Sequence, residues 1–278
     1  MQFEQGNFEG TGGLNLYQAT WQPDGEIKAV LGIVHGVGEH IQRYTSMAAD
    51  LTAAGILVSG YDHRGHGRSE GQRGHINHWS EYRQDLSRFN HLLKQRYPRL
   101  PRFLFGHSMG SLILLDFLQE EGAAGLNGAI FSGTALEPLD AAPPLLVFIA
   151  RALSRIVPRM ALKVKLPGES LSRDPQVAEA YDKDPLVFWE RSTRWGAETL
   201  RIIEKIKAAP EKINLPVLFI HGEEDPLLSA QGAAAFAQQV ASTDKTVKIY
   251  PGSRHEPHND LDRRQVMSDI IAFIQAHG

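Results

Sequence analysis

The segment GHSMG at residues 106–110 places a serine between two glycines. Residues 102–105 before it are largely apolar and aromatic, as in a buried strand, whereas residues 111–118 repeat apolar side chains at helical spacing. Ser108 is therefore predicted on a tight turn between a strand and a helix, where glycines relieve crowding of the backbone. This G-x-S-x-G arrangement turns the serine hydroxyl outward, as a nucleophile requires.

A serine hydroxyl is a weak nucleophile unless a base removes its proton, and a third group must hold that base in one tautomer. Suitable residues lie at the ends of two later predicted strands. The strand that starts at 216 ends within the segment HGEEDPL, and the strand at 246–250 is followed by PGSRHEPH. Asp225 and His255 are the predicted partners of Ser108, because the chain order Ser, Asp, His suits a nucleophile on such a turn. We expect the three side chains to form a catalytic triad.

Neighbouring residues offer alternatives for two of these roles. Glu224 shares a turn with Asp225 and is the alternative carboxylate, although Pro226 favours Asp225 because it marks the end of that turn. His258, which lies three residues beyond His255, is the alternative base. We expect His258 in the first turn of the last helix, where it would point elsewhere.

The negative oxygen of a tetrahedral intermediate needs backbone N–H donors. One donor usually follows the nucleophile, and the other lies in the loop after an early strand. Met109 follows Ser108, and the loop after the strand that begins near residue 29 reads HGVGEH, residues 35–40. Met109 and Val37, or a residue next to Val37, are the predicted donors.

Apolar runs that end in turn residues alternate with amphipathic stretches of helical length. Most of these runs are continuously apolar, which is typical of parallel strands buried on both faces. One earlier run, 14–21, alternates apolar and polar residues and is predicted as an antiparallel edge strand. The pattern predicts an α/β fold with a mostly parallel, doubly wound sheet. The predicted strands cover 29–36, 56–62, 102–108, 128–133, 216–225 and 246–252, and the predicted helices cover 44–54, 80–97, 111–121, 230–240 and 261–276.

The alternation stops after the strand at 128–133, where helical patterns punctuated by prolines contain no predicted strand. A segment inserted there leaves the sheet at its carboxyl end, where ligands bind in open α/β sheets. We therefore expect an inserted helical cap over the site. The predicted division is a first core part at 1–134, a cap at 135–211 and a second core part at 212–278.

Composition excludes several classes of function. The 278 residues, 42% of them hydrophobic, can bury one full-sized domain, and a formal net charge of −3 gives no surplus of positive charge for nucleic acid. The chain has no cysteine, which excludes thiolate chemistry and disulfides. His63, His66 and His75 lack the carboxylate or thiolate that would complete a metal site. We expect neither a metal nor an organic cofactor.

The amino terminus, MQFEQGNFEGTGG, lacks the charged start and apolar stretch of a secretory signal. The longest apolar-rich segment, 143–157, contains two arginines and is shorter than the roughly 20 apolar residues of a membrane span. A cytoplasmic location is the expectation.

Together these motifs resemble the monoacylglycerol lipase and lysophospholipase-like branch of the serine α/β-hydrolases, over nearly the whole chain. The matching segments are HGVGEH, DHRGHGRSEG, GHSMGS, SRDPQVAEAYDKDPLV, HGEEDPL and GSRHEPHND. The resemblance implies an α/β-hydrolase fold and an esterase that hydrolyses monoacylglycerols to glycerol and fatty acid through an acyl-enzyme on Ser108. A lysophospholipase, or a general carboxylesterase or thioesterase with the same triad, is the alternative.

The resemblance also implies how a lipid ester substrate is bound. Four positions are associated with the glycerol end of the substrate: Glu39, Arg43, His107 and Tyr181. An acyl chain needs an apolar tunnel, and the cap supplies side chains that include Leu145, Leu146, Phe148 and Ile149.

Arg151, Arg155 and Arg159 recur every fourth residue, so they are predicted to share one face of a cap helix. We expect this cap to contact a micelle or the surface of a membrane. The protein is expected to be a monomer or a homodimer, because an exposed apolar cap could also serve a dimer.

Overall fold

The computed structural model describes residues 1–139 and 151–278. Eight strands form one sheet, and two short strands form another. In chain order the strands are β1 (Gln2–Glu9), β2 (Asn15–Gln22), β3 (Ala29–Val34), β4 (Ile56–Tyr61), β5 (Arg102–His107), β6 (Gly128–Ser132), β7 (Ala161–Lys163), β8 (Glu190–Ser192), β9 (Val217–Gly222) and β10 (Lys245–Tyr250). The large sheet has the order β1-β2-β4-β3-β5-β6-β9-β10, and it is parallel from β4 through β10.

Helices cover both faces of this sheet. They are α1 (Thr45–Ala53), α2 (Ser80–Arg96), α3 (Met109–Glu121), α4 (Pro175–Lys183), α5 (Thr193–Lys207), α6 (Ala230–Gln239) and α7 (Arg263–Ala276). Side chains of α1 and α7 belong to one apolar core, whereas those of α2, α3, α5 and α6 belong to the other. Along β3, Val30 faces the second core and Leu31 faces the first. The continuously apolar strands follow from this two-sided burial, and the predicted doubly wound α/β fold is confirmed.

The strand order reverses at β3, because β4 lies on one side of it and β5 on the other. Val34 pairs with Gly106, so the carboxyl ends of β3 and β5 are neighbours. The loop at 35–40 and the turn at Ser108 therefore leave the sheet side by side. Such a reversal creates the crevice in which open α/β sheets bind ligands.

The prediction of an edge strand at 14–21 is wrong in one respect. This segment forms the antiparallel β2, but β2 lies between β1 and β4, and β1 is the edge. β1 reads QFEQGNFE and seven of its eight residues are exposed. A strand without a buried apolar face gives no hydrophobic period from which to predict it.

The predicted cap, 135–211, contains α4, α5 and the two strands β7 and β8, although no strand was predicted there. Each strand has only three residues, which is too short for a periodic signal. Residues 151–156 are helical and the chain turns at 157–159, so Arg159 lies beyond the helix. The predicted arginine face is therefore wrong. Arg151 instead forms an ion pair with Glu204 at 2.7 Å.

Among the helices of the described residues, none has the length and apolar character needed to cross a membrane.

Candidate active site

Ser108 occupies a strained turn between β5 and α3. Its backbone φ is 51°, a region that costs a non-glycine residue of order 1–3 kcal/mol. The flanking glycines permit the turn: a Cβ on Gly106 would lie 2.7 Å from the carbonyl oxygen of Gly110. A Cβ on Gly110 would collide with the carbonyl oxygen of Val34. The turn leaves Ser108 partly exposed at the carboxyl edge of the sheet.

The carboxylate of Asp225 holds the imidazole of His255. The Nδ1–H of His255 donates to Oδ2 of Asp225 at 2.8 Å, and both side chains are buried. The other oxygen, Oδ1, accepts the backbone N–H groups of Leu227 and Leu228 at 2.8 and 3.2 Å, which fixes the carboxylate in its turn. With its proton on Nδ1, His255 keeps Nε2 as the acceptor that a general base needs.

Charge and burial oppose each other at this pair. Burial disfavours the imidazolium, but the adjacent Asp225 carboxylate outweighs burial and raises the pKa of His255. Burial also disfavours ionised Asp225, but hydrogen bonds and charge from His255 and His221 hold the pKa of Asp225 well below its usual range. The alternative carboxylate, Glu224, is exposed. The pair therefore strengthens His255 as a base toward a serine hydroxyl.

A polar pocket and an apolar cavity meet at Ser108. Ser108, His255 and Val37 line both of them. The structure thus brings Ser108, Asp225 and His255 together from the ends of β5, β9 and β10. A serine, a histidine and a carboxylate in this arrangement can carry out acyl transfer.

The two predicted oxyanion donors flank Ser108. Met109 is the first residue of α3, where backbone N–H groups have no acceptor within the helix, and Val37 belongs to the loop at 35–40. Neither N–H donates to another group in the described part of the chain. A Cβ on Gly36 would lie 3.3 Å from the Cβ of Ser108, so this loop passes beside the serine. Both N–H groups are free to bind a negative oxygen.

Two contacts fasten the same loop to the segment predicted as a cap. The N–H of Phe188 donates to the carbonyl oxygen of Gly38 at 3.0 Å, and Nε2–H of His40 donates to Oδ2 of Asp184 at 2.8 Å. Gly38 has a φ of 76°, and a Cβ there would lie 2.5 Å from the carbonyl oxygen of Phe188. Only glycine fits this close approach.

Two carboxylates and one guanidinium line the polar pocket. Arg43 donates from Nη1 and Nη2 to the two oxygens of Glu256 at 2.7 and 2.8 Å, and from Nη1 to Glu39 at 2.5 Å. The ring of Tyr181 lies 4.6 Å from Cζ of Arg43. The pocket has a volume of about 20 Å³, enough for a water molecule.

The two carboxylates differ in basicity. Burial raises the pKa of Glu39 despite the adjacent Arg43 charge, and the charge of Glu256 adds to the rise. For Glu256, burial is outweighed by the charge and the hydrogen bonds of Arg43, which lower its pKa. Arg43, the one cation among the four predicted glycerol contacts, is therefore already paired with negative charge.

Two further histidines lie beside His255. The ring of His107 is 4.8 Å from the ring of His255 and 4.9 Å from that of His258. His258 stacks on Tyr44 at 5.3 Å, and neither of its nitrogens has a partner among the described residues. Burial lowers the pKa of His258 to about 4. The prediction that His258 lies in the last helix is wrong, because it belongs to a short 3₁₀ helix at 257–259.

Among the described residues, Glu39, His107 and Glu256 place potential ligand atoms within 4.8 Å of one another. Arg43 already binds both carboxylates, so a metal ion would have to displace that guanidinium. His63 is used within the fold, since its Nε2–H donates to the carbonyl oxygen of His35 at 3.0 Å. That the protein needs no metal stays a prediction.

The apolar cavity has a volume of about 470 Å³, within the usual range of small-molecule sites. Trp195, Thr199 and Ile203 contribute one face of α5 to its wall. Further lining residues are Met109, Leu112, Val164, Leu166, Leu227 and Leu228. The predicted acyl contacts Leu145, Leu146, Phe148 and Ile149 lie outside the described residues.

Sequence reasoning missed several residues of this site, although signals for them exist. Trp195, Thr199 and Ile203 are spaced four apart, which places them on one face of a helix. Glu256 directly follows His255 in GSRHEPH, and His221 precedes Asp225 by four residues in HGEED. Glu256 and His221 are thus polar residues within four positions of a predicted catalytic residue.

A parallel sheet with helices on both faces, and a serine on a strained turn between strand and helix, define an α/β-hydrolase fold and a serine hydrolase. Residues 25–262 match the family described as "Serine aminopeptidase, S33", and the chain belongs to this family.

Individual relatives agree with this assignment. A monoacylglycerol lipase from Mycolicibacterium smegmatis is 34% identical to this chain, over 98% of this chain and 96% of the relative. A monoglyceride lipase from Homo sapiens is 31% identical, over 90% and 82% of the two chains. The crystal structure of Paleococcus ferrophilus monoacylglycerol lipase matches with a TM-score of 0.84 at 28% identity, covering 95% and 99% of the two chains. The resemblance inferred from the motifs is confirmed.

Proposed function

We propose that this enzyme hydrolyses monoacylglycerols to glycerol and a fatty acid through an acyl-enzyme on Ser108. One observation carries the proposal: a small polar pocket and a large apolar cavity meet at a serine beside a histidine–aspartate pair. A monoacylglycerol has the same asymmetry, because its ester joins a small polar alcohol to one long apolar chain. The names of the relatives support this substrate class.

In the first half of the reaction, Nε2 of His255 takes the proton of Ser108 as Oγ attacks the ester carbonyl carbon. Asp225 holds the imidazolium that forms, and the N–H groups of Val37 and Met109 stabilise the negative oxygen. The carbon–oxygen bond to glycerol then breaks. The departing glycerol oxygen receives the proton from His255, and the acyl group stays on Ser108.

In the second half, water replaces glycerol. His255 takes one proton from this water as its oxygen attacks the acyl carbon, and the same two N–H groups stabilise the second tetrahedral intermediate. Breakdown releases the fatty acid and returns the proton to Oγ of Ser108. The cycle uses only protein groups and water.

The polar pocket favours a neutral glycerol group at the alcohol end. Arg43 is bound by both Glu39 and Glu256, so it offers no free positive charge to a phosphate. A phosphodiester would also lie near two carboxylates, at an electrostatic cost. Glu39, Arg43, His107 and Tyr181 line the pocket, which has room for one water-sized group, and they are the proposed contacts of a glycerol hydroxyl. This charge balance ranks monoacylglycerols above the alternative lysophospholipids.

The hydrogen bonding in this pocket argues against an aminopeptidase activity, which the family description mentions. A peptide amino terminus needs a carboxylate that is free to bind its ammonium group. Glu39 and Glu256 are both held by Arg43. Ester hydrolysis is therefore the activity that the site supports.

Exposed apolar residues on and before β7, next to a lining residue of the apolar cavity, support contact with a lipid surface. Ile156, Leu162 and Val164 are 76%, 57% and 50% exposed, and Val164 also lines the apolar cavity. We expect Ile156→Ser with Leu162→Ser to weaken flotation of the protein with phosphatidylcholine vesicles that contain monoacylglycerol. Leu92→Ser, at an exposed leucine of α2, is the matched control. Equal flotation of the double variant and the control would contradict this contact.

We also propose that the protein is cytoplasmic and that it is a monomer or a homodimer. These proposals are tested by fractionation of cells that express the protein and by light scattering of the purified chain.

The substrate proposal is tested by fatty-acid release from monoacylglycerols, diacylglycerols, lysophosphatidylcholine and short p-nitrophenyl esters, with Ser108→Ala in parallel. We expect strong turnover of monoacylglycerols that depends on Ser108, and little turnover of the other lipids. Activity confined to short esters would overturn the substrate and retain the triad. Turnover that persists in Ser108→Ala would overturn the mechanism.

A further inference from the structure

A second histidine contacts the carboxylate of the proposed triad. His221 is the penultimate residue of β9, its side chain is buried, and its Nε2–H donates to Oδ2 of Asp225 at 2.9 Å. This is the same oxygen that accepts Nδ1–H of His255 at 2.8 Å. The two imidazoles therefore share one carboxylate oxygen.

Each oxygen of Asp225 accepts two hydrogen bonds. Oδ1 receives two backbone N–H groups, from Leu227 and Leu228, and Oδ2 receives the two imidazoles. Without His221, Oδ2 would depend on His255 alone, and His255 must move its proton and charge during each half-reaction. His221 supplies a bond to Oδ2 that persists while His255 changes its protonation.

The other nitrogen of His221 indicates its tautomer. A carboxylate can only accept, so the proton lies on Nε2. Nδ1 is buried and has no partner among the described residues. A buried N–H without an acceptor is costly, so the tautomer with its proton on Nε2 and a bare Nδ1 fits this site.

We propose that His221 is a positioning residue for the proposed reaction: it holds Oδ2 of Asp225 in place for His255 and disperses the charge of that oxygen. This inference rests on the proposed catalytic triad. It adds a fourth side chain, which touches neither the substrate nor the reacting atoms.

The protonation of His255 provides the readout. Charged and titratable groups approach His255 from several elements: Asp225 from the turn after β9, His107 from β5, Glu39 from the loop after β3, and Glu256 and His258 from the segment before α7. Only the contact of Asp225 is shared with His221. Loss of His221 would concentrate the carboxylate charge on His255 and favour its imidazolium.

The experiment compares His221→Leu and His221→Gln with wild type in the pH dependence of kcat/KM for an ester that the wild type hydrolyses. Leucine removes the donor, whereas the side-chain amide of glutamine can restore it. We expect His221→Leu to lower kcat about 10- to 100-fold, with little change in KM, as loss of a hydrogen bond to a charged group predicts. The acidic limb of its profile should move to higher pH. His221→Gln should recover most of kcat and the wild-type profile.

A purely structural role predicts different results. His75→Leu removes another buried histidine, whose Nδ1 bonds to Oγ of Ser192, and serves as the matched control. It should lower the unfolding temperature without moving the acidic limb. The proposal is overturned if His221→Leu keeps the wild-type kcat and profile, or if His221→Gln is as impaired as His221→Leu.

A measurement on the wild-type protein needs neither variants nor substrate. In a ¹H–¹⁵N spectrum of histidine-labelled protein, His221 should carry its proton on Nε2. A proton on Nδ1 alone would overturn the proposal even if the enzyme proves active. Conversely, absence of any esterase activity would refute the proposed function and leave the hydrogen bond of His221 testable by this spectrum.

Discussion

The polar pocket and the apolar cavity meet at Ser108, but they are stabilised in opposite ways. On the polar side, Glu39, Arg43 and Glu256 bond to one another at 2.5 to 2.8 Å around a volume of about 20 Å³. On the apolar side, a volume of about 470 Å³ is bounded mainly by apolar side chains. Loss of a polar contact would leave a buried charge, whereas loss of an apolar contact would leave more space.

This difference predicts how each of the two cavities would select its end of a substrate. The polar pocket can exclude charged or bulky groups because its own charges are paired and its side chains are fixed in place. The apolar cavity selects by length and volume, since contacts between apolar groups have little directional preference. Changes on the polar side should therefore affect folding and chemistry, and changes on the apolar side should affect substrate length.

The largest expected effect comes from the residue that both sides share. Ser108→Ala should lower kcat by about a millionfold, because it removes the nucleophile of both half-reactions. Both cavities should remain, so the variant should bind monoacylglycerol with an affinity near that of wild type. Release of fatty acid and equilibrium binding are the two measurements. Turnover within a factor of ten of wild type would remove Ser108 from the mechanism.

Next in size is the removal of the cation from the polar side. Arg43→Met should reduce the free energy of unfolding by about 3–5 kcal/mol, because Glu39 and Glu256 would be left buried without their partner. Urea unfolding measures the loss. Adding Glu256→Gln should recover part of it, since one of the stranded charges disappears. A loss below about 1 kcal/mol would show that the ion cluster is hydrated and not a buried unit.

A pH-dependent effect is expected at His258. Its pKa falls from 6.5 to about 4 in the folded protein because of burial, so the unfolded chain binds a proton more readily. The free energy of unfolding therefore decreases as the pH falls from 6.5 to about 4. Protonation of His258 accounts for about 3 kcal/mol of this decrease. In His258→Phe this part of the loss should vanish. The measurement is the difference in unfolding free energy between wild type and variant at pH 7 and pH 4. A difference that is constant with pH would contradict the assignment.

The smallest expected effect lies on the apolar side. Ile203→Trp should narrow the cavity and lower kcat/KM for long-chain esters about tenfold, while acetyl esters are hydrolysed as by wild type. Lys207→Trp, at an exposed position of the same helix α5, is the matched control. Equal losses for long and short esters would mean that this cavity does not hold the acyl chain.

The sequence was most informative where chemistry depends on neighbouring residues. Ser108 was predicted because its glycines, the preceding strand and the following helix are contiguous. Asp225 and His255 were predicted because the carboxyl ends of parallel strands share one edge of a sheet. In these cases the local pattern determines the position: Asp225 bonds to His255, and Ser108 and His255 line the same two cavities. Their catalytic roles stay predictions.

The residues that were missed depend on contacts that spacing in the sequence does not show. Glu256 bonds to Arg43 across 213 positions, so neither residue reveals the other by spacing. His221 lies close to Asp225 in sequence, but its contact requires the bend of the chain after β9. β1 was missed for another reason: its exposed, polar sequence lacks an apolar face, and only its pairing with β2 makes it a strand.

The hydrogen bond from Phe188 to Gly38 joins the segment predicted as a cap to the loop that carries Val37. A substitution or displacement that breaks this bond would also release Gly38, the residue next to Val37, and would alter the alignment of the Val37 N–H. The position of one proposed oxyanion donor therefore depends on a segment that is distant in the sequence.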